Sequence, residues 1–517
     1  MSLARSALTV GAMTMASRVA GFARDWLMAL TLGAGPAADA FFVAFKLPNF
    51  FRRLFAEGAF SAAFVPYFSA IHARDPSAGE AFAQRVLSVL VPVLALFILL
   101  VEVFMPGVVY ALTGGFKDGD PDKLALAIEL SRLTFPFLAL ISLVSLLSGV
   151  LNGLGRFAAA AGVPVVLNLS LISAMLLAPG APQEVARNLA VGVTIAGLLQ
   201  VLMLLAALRR QGFALGLIAP SLSPNVRNML KAMAPAAIGA GAVQINLLID
   251  VLLATRYLPE GSISYLYYGD RLVQLPIGVI GVAVGTALLP SLSKALSLGE
   301  GARGNQLMNT AAEMVLVVTL PAMVALLTVP EIFIRILFEH GAFDRQDTVQ
   351  TVKALMAYAC GLPAYVLIKV FTPGFFARGD TKTPVQISMG CLMLNTALGI
   401  ALMQVFAHAG LALATAVAAW TNALLLWLVL ARRRHFTLAP QVLGRCVRML
   451  IAALVMAGGL YGAIHAAAPL LGKHPSIALP TLIAIVAAAM ALYALSGTLV
   501  RAFDMARVKA AFTRRTG

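Results

Sequence analysis

Long apolar runs follow one another along this chain with little room between them for any soluble domain. A helix needs about 20 apolar residues to cross the roughly 30 Å hydrocarbon layer of a bilayer. Fourteen such runs are read, at about 6–32, 38–68, 86–113, 125–154, 158–179, 186–208, 232–256, 262–292, 309–338, 349–376, 384–407, 409–431, 443–467 and 477–500. Of the 517 residues 60% are hydrophobic and 12% charged, and no soluble fold buries that much apolar surface. The expected class is an all-α polytopic membrane protein. Several runs carry Pro48, Pro136, Pro235, Pro276, Pro363 or Pro373, breaks that a membrane tolerates where the helix faces protein or a wet cavity. No cleavable signal peptide is expected, because the first run already holds Arg18, Arg24 and Asp25.

The formal net charge is +16, which in a soluble protein would point to nucleic acid. Here the basic residues sort by membrane side. Arg74, Arg85, Arg156, Arg209, Arg210, Arg227, Lys231, Lys294, Arg303, Arg378, Lys382, Arg432 to Arg434 and the tail from Arg501 fall on one side. Lys117, Lys123, Arg187, Arg256, Arg335, Arg345 and Lys473 fall on the other. The positive-inside rule then places both termini in the cytoplasm, with an even number of spans in a bacterial inner membrane. No nucleic-acid partner is expected. The Arg432–Arg434 run anchors a span and meets anionic membrane lipid. Cys360, Cys391 and Cys446 show no paired spacing, which argues against a disulfide framework or a zinc site. No P-loop, metal-binding histidine motif or nucleophile elbow is present, so no enzyme and no cofactor are expected, and energy must come from an ion gradient or the membrane potential.

A weak internal repeat is visible. "FVPYFS" resembles "LLPSLS", taking Pro66 to Pro290, and "GVLNGLGRF" resembles "GFFARGD", taking Gly149 to Gly374. The offsets agree to one residue. They suggest two parallel six-helix lobes, 1–222 and 223–435, followed by two further helices in 436–517. Repeated halves with a site between them are a common plan for secondary transporters.

Charges inside the spans carry the functional signal, since each costs on the order of 3 kcal/mol at the bilayer centre. The first two spans hold Arg18, Arg24, Asp25, Asp39, Lys46, Arg52, Arg53 and Glu57, with Ser17 and Asn49 as neutral donors. Arg18 and Arg24 lie about 120° apart on a helix. Cations outnumber acids, so pairing alone does not neutralise the group. Surplus guanidinium suits a phosphate-bearing ligand, because Arg binds phosphate in bidentate fashion and keeps its charge when partly desolvated. The bland alternative is packing ion pairs, with Lys46 and Arg53 snorkelling to the interface. In the second half "YYGDRLVQLP" places Asp270 and Arg271 together, either as a local pair or with Arg271 facing the same cavity. Substrate binding is assigned to Arg18, Arg24, Asp25, Asp39, Asn49, Arg52, Glu57 and Arg271, and gating or pairing to Ser17, Ser264 and Asp270. Asp250, Asn395 and Thr415 would form a Na⁺ or proton site if they converge.

"SRVAGFARD", "DAFFVAFKLPNFFRRLFAEGAFSAAFVP" and "YYGDRLVQLP" resemble the MurJ (MviN) family, the bacterial lipid II flippases of the MOP exporter superfamily. The resemblance runs along nearly the whole chain. It implies fourteen helices, two six-helix lobes in a MATE-like V, and two C-terminal helices forming a groove for a lipid tail. It implies export of lipid II, the undecaprenyl-pyrophosphate-linked disaccharide-pentapeptide, for cell-wall synthesis, within reach of a cell-wall synthesis complex. The functional arginines of the family fall on Arg18, Arg24, Arg52 and Arg271, and its first-span acid on Asp25; Asp39 also matches. Two positions depart from the pattern: Gln274 stands where some members have an acid, and Gly399 where a further acid of the Na⁺ site is expected.

Rival readings make different demands. A flippase for another polyprenyl-linked glycan shares the cationic cavity. A MATE-type cation or drug antiporter needs a surplus of acids there. A polytopic glycosyltransferase needs a long extracytoplasmic loop, whereas the longest candidates lie near 113–124 and 338–348. A cell-wall scaffold would survive loss of the cavity charges.

Overall fold

The fold was taken from a computed structural model, which describes residues 3–52, 60–117, 119–472 and 475–502. Among these every regular element is a helix. That follows from the solvent: in hydrocarbon each backbone N–H and C=O must be satisfied within the segment, and a helix does so. The chain divides into two compact units, 1–264 with 340–344, and 265–339 with 345–517.

The first unit contains α1 (Leu3–Leu32), α2 (Pro36–Phe51), α3 (Ser61–Arg74), α4 (Pro76–Val103), α5 (Met105–Thr113), α6 (Pro121–Thr134), α7 (Phe137–Gly153), α8 (Phe157–Leu177), α9 (Pro182–Arg209), α10 (Pro224–Tyr257) and the first residues of α11 (Ser262–Ser297). Several starts are written in the sequence. Asp75 accepts from the Ser77 N–H at 2.8 Å ahead of Pro76, and Asp120 accepts from the Asp122 N–H at 2.9 Å ahead of Pro121. An acidic cap followed by Pro satisfies one orphan donor and removes another. Phe60, Phe64, Phe68 and His72 stack at successive turns of α3, 5.3 to 5.6 Å apart. Gly149 of α7 lies beneath this ladder, where an added Cβ would sit 2.8 Å from the Phe64 ring.

The second unit continues α11 and adds α12 (Gly301–Thr328), α13 (Pro330–Phe338), α14 (Arg345–Ala359), α15 (Leu362–Phe376), α16 (Lys382–Phe406), α17 (His408–Arg432), α18 (Pro440–Ala466), α19 (Ala468–Leu471) and α20 (Pro475–Leu499). Gly374, matched to Gly149 in the expected repeat, also marks a close approach, with an added Cβ 2.8 Å from Met308 Cε. One core joins α12, α18 and α20 through Val324, Ala453, Met456, Leu460 and Tyr493. Arg445 of α18 donates to both carboxylate oxygens of Glu313 on α12 at 2.9 Å. In the loop after α15, Asp380 accepts from the Thr383 hydroxyl at 2.6 Å and pairs with Arg433 at 2.6 Å. The Thr383 hydroxyl and N–H, then Arg433, hold the Asp380 carboxyl well below the usual carboxylate range.

Ten helices or continuous helix pairs among the described residues are long and apolar enough to cross a membrane. Their outward faces are apolar, with Leu177 84%, Leu499 76% and Val405 75% exposed, which suits lipid and not water. The four other expected runs fall on α1, α2 with α3, α10 and α11, which include the charge-bearing segments. Helices α1, α10 and α11 have 30, 34 and 36 residues, ample length for a crossing. Apolarity thus supports ten spans, and fourteen stays a proposal. The expected proline breaks divide into two kinds. Pro136 separates α6 from α7, whereas Pro48, Pro276 and Pro373 lie inside continuing helices. A proline removes one donor without ending a helix whose neighbours support it.

Candidate functional site

In the first unit two charges of α1, Arg24 and Asp25, lie in a compact buried network. Arg24 and Asp25 are 7% and 4% exposed. Asp25 Oδ1 accepts from Arg24 Nε at 3.0 Å and from Nη2 at 2.6 Å. Arg24 Nη1 donates to Asn168 Oδ1 on α8 at 2.9 Å. Asn168 Nδ2 in turn donates to the Ser17 carbonyl at 2.9 Å, closing a bridge from α8 back to α1. A buried guanidinium needs this company, because an unpaired buried charge is costly. Ser17 contributes its backbone oxygen here. Arg18, one residue on, is half-buried.

At the far end of α2, Arg52 Nε donates to Asn49 Oδ1 at 3.0 Å, and Asn49 Nδ2 donates to the Phe45 carbonyl at 2.7 Å. Spacings of three and four residues put these groups on one helix face. Asn49, Arg52 and Lys46 are all half-buried. Glu57 and Arg53 lie outside the described residues.

Asp39, 3% exposed, sits near the other end of α2. Its Oδ2 accepts from the Gly261 N–H at 2.8 Å, and its Oδ1 from the Ser264 N–H at 3.1 Å and the Ser264 hydroxyl at 2.7 Å. Asp39 thus caps the start of α11 through space, where free N–H groups and the positive end of the helix dipole favour an anion. The two residues are 225 apart, the same offset as Gly149 and Gly374. Lys123 Nζ lies 3.4 Å from Asp39 Oδ2.

In the second unit Arg271 is half-buried, with its guanidinium carbon 4.5 Å from the centre of the Tyr267 ring and Nη2 donating to the Tyr267 hydroxyl at 2.9 Å. A cation over a tyrosine face is stabilised without losing its charge. Asp270 accepts from Gln274 Nε2 at 3.3 and 3.4 Å, so Gln274 is a neutral donor to its neighbour one helical turn away. Of the ion-site candidates, Asp250 is half-buried on α10 in the first unit. Asn395 is buried on α16, and the Thr415 hydroxyl donates to its own helix at the Leu411 carbonyl, 3.0 Å away.

Residues 28–480 match the family described as Lipid II flippase MurJ. The chain belongs to this family. A probable lipid II flippase MurJ from Rhizobium tropici is 41% identical over 522 residues, covering 100% of this chain and 97% of that protein. The relative from Rhizobium meliloti (strain 1021) is 44% identical over 500 residues, covering 95% and 93%. A solved lipid II flippase MurJ in an inward closed conformation has a TM-score of 0.78 at 26% identity, covering 95% of this chain and 98% of that one. An inward-facing multidrug resistance MATE family transporter of the MOP superfamily, with a TM-score of 0.67 at 14% identity, shares the fold alone.

Within this MurJ family chain, Arg24, Arg52 and Arg271 have specific polar partners in Asp25 and Asn168, Asn49, and Tyr267. Sequence reading missed two of the side chains that organise the buried charges, Asn168 at Arg24 and Lys123 at Asp39. Asn168 is a neutral residue in an apolar run, and in sequence Lys123 reads only as one of the basic residues on the non-cytoplasmic side. His408 is buried and hydrogen-bonded to the Gln350 carbonyl at 2.9 Å.

Proposed function

We propose that the chain moves lipid II from the cytoplasmic to the periplasmic leaflet of a bacterial inner membrane by alternating access. Family membership along nearly the whole length carries this reading. The charge pattern agrees with it: the pyrophosphate and peptide carboxylates of lipid II are anionic, and α1 and α2 carry a surplus of arginine. Arg24 and Arg52 are the proposed ligands of the pyrophosphate on the first unit, and Arg271 offers the same chemistry on the second. Asp25 then serves as the resident counter-ion of Arg24, which an incoming phosphate oxygen replaces. Exchanging one anionic acceptor for another avoids the cost of ever leaving Arg24 bare.

The finer features of the proposal follow from the same reading. The protein acts as a transporter and not as an enzyme. Both termini face the cytoplasm across fourteen spans grouped as two six-helix lobes, with α18 and α20 beside the polyprenyl tail. The membrane potential or a Na⁺ gradient biases the cycle, with Asp250, Asn395 and Thr415 as the proposed ion ligands.

The test is growth of a bacterium depleted of its own lipid II flippase and supplied with wild type, Arg24→Ala, Arg24→Lys or Arg52→Ala at matched membrane levels. Wild type restores growth, the alanine variants do not, and Arg24→Lys restores it in part, since lysine keeps the charge but not the fork. Failure of correctly inserted wild type would assign the cargo to another lipid-linked glycan. Rescue by the alanine variants would make these arginines structural.

A further inference from the structure

Lys123 has no place in the functional assignments above, yet its setting is unusual. It is the third residue of α6, where the helix dipole disfavours a cation. Its side chain is only 5% exposed, and a buried ammonium requires compensation. Three groups surround it: the Asp39 carboxylate at 3.4 Å, the Glu260 carboxylate at 3.7 Å and the Phe116 ring at 4.9 Å. Asp39 is equally enclosed, at 4%, whereas Glu260 is 45% exposed. The other donors to Asp39 are the two N–H groups and the hydroxyl at the start of α11, which orient the carboxylate but carry no full charge. Among the described residues, Lys123 is the cation paired with Asp39.

We propose that Lys123 is a positioning residue for transport, whose ammonium holds the Asp39 carboxylate aimed at the first turn of α11, with Glu260 as a second, solvent-facing acceptor. Without that charge Asp39 is a buried acid held by neutral donors alone. It then turns toward water, and the Gly261 and Ser264 amides lose their acceptor. This inference rests on the reading that Asp39 takes part in transport. Its structural half stands independently.

Hydrogen–deuterium exchange of the segment from Leu258 to Tyr265 reads the cap directly. It is measured on the full chain in lipid nanodiscs for wild type, Lys123→Met, Lys123→Gln and Lys123→Arg, with complementation by each at matched membrane levels. Lys123→Met and Lys123→Gln should raise exchange at Gly261 and Ser264 roughly tenfold or more and weaken growth, because breaking a buried pair exposes what it held. Lys123→Arg should stay near wild type in both readouts. Wild-type exchange in Lys123→Met, equal loss in Lys123→Arg, or raised exchange with undiminished growth overturns the proposal. If Lys123→Met fails to insert, Lys123→Gln decides it. If wild type itself does not complement, the transport reading fails, while the exchange comparison still decides whether Lys123 positions Asp39.

Discussion

Asn168 shows what a neutral side chain does for a charged one. It joins Arg24 to the Ser17 carbonyl and fixes where the guanidinium points. A hydrogen bond to a charged group contributes about 1.5–3 kcal/mol, so Asn168→Ala should lower stability by that order and weaken transport without abolishing it. Thermal unfolding in detergent, together with complementation, checks this; unchanged values in both would show that Arg24 does not depend on Asn168. At this scale the sequence was legible where a charge interrupts an apolar run, as at Arg24, Asp25, Arg52 and Arg271. It was not legible where the partner is neutral or distant. Asn168 lies 144 residues from Arg24, and Lys123 lies 84 from Asp39, so no local pattern links them.

At the scale of elements, helix contacts depend on small residues as much as on large ones. In α17, a Cβ added to Gly410 would run into the Leu402 and Met403 backbone of α16, which cannot yield as a flexible side chain does. Gly410→Ala should therefore destabilise the second unit by about 1–3 kcal/mol or more. Gly458→Ala on α18 meets nothing within 4 Å and should be neutral or gain up to ~1 kcal/mol from helix propensity. Thermal unfolding of the two variants side by side reads the difference; equal stability would contradict the close α16–α17 packing. Helix positions were readable from apolar runs; Gly149 and Gly374, paired by the expected repeat, mark close approaches within their own units. The fate of individual prolines was not readable. Pro48 and Pro136 look alike in sequence, and only packing decides which helix continues.

For the whole molecule, composition fixed the solvent, and the basic residues suggested an orientation. Family membership names lipid II as the cargo, and the basic surplus on α1 and α2 matches its negative charge. The most direct measurement of the central claim uses purified protein in proteoliposomes carrying labelled lipid II in one leaflet, and follows its arrival in the other. Wild type should move lipid II faster than protein-free vesicles, and Arg24→Ala at equal reconstitution should not. No movement with wild type, or equal movement with Arg24→Ala, would contradict the account.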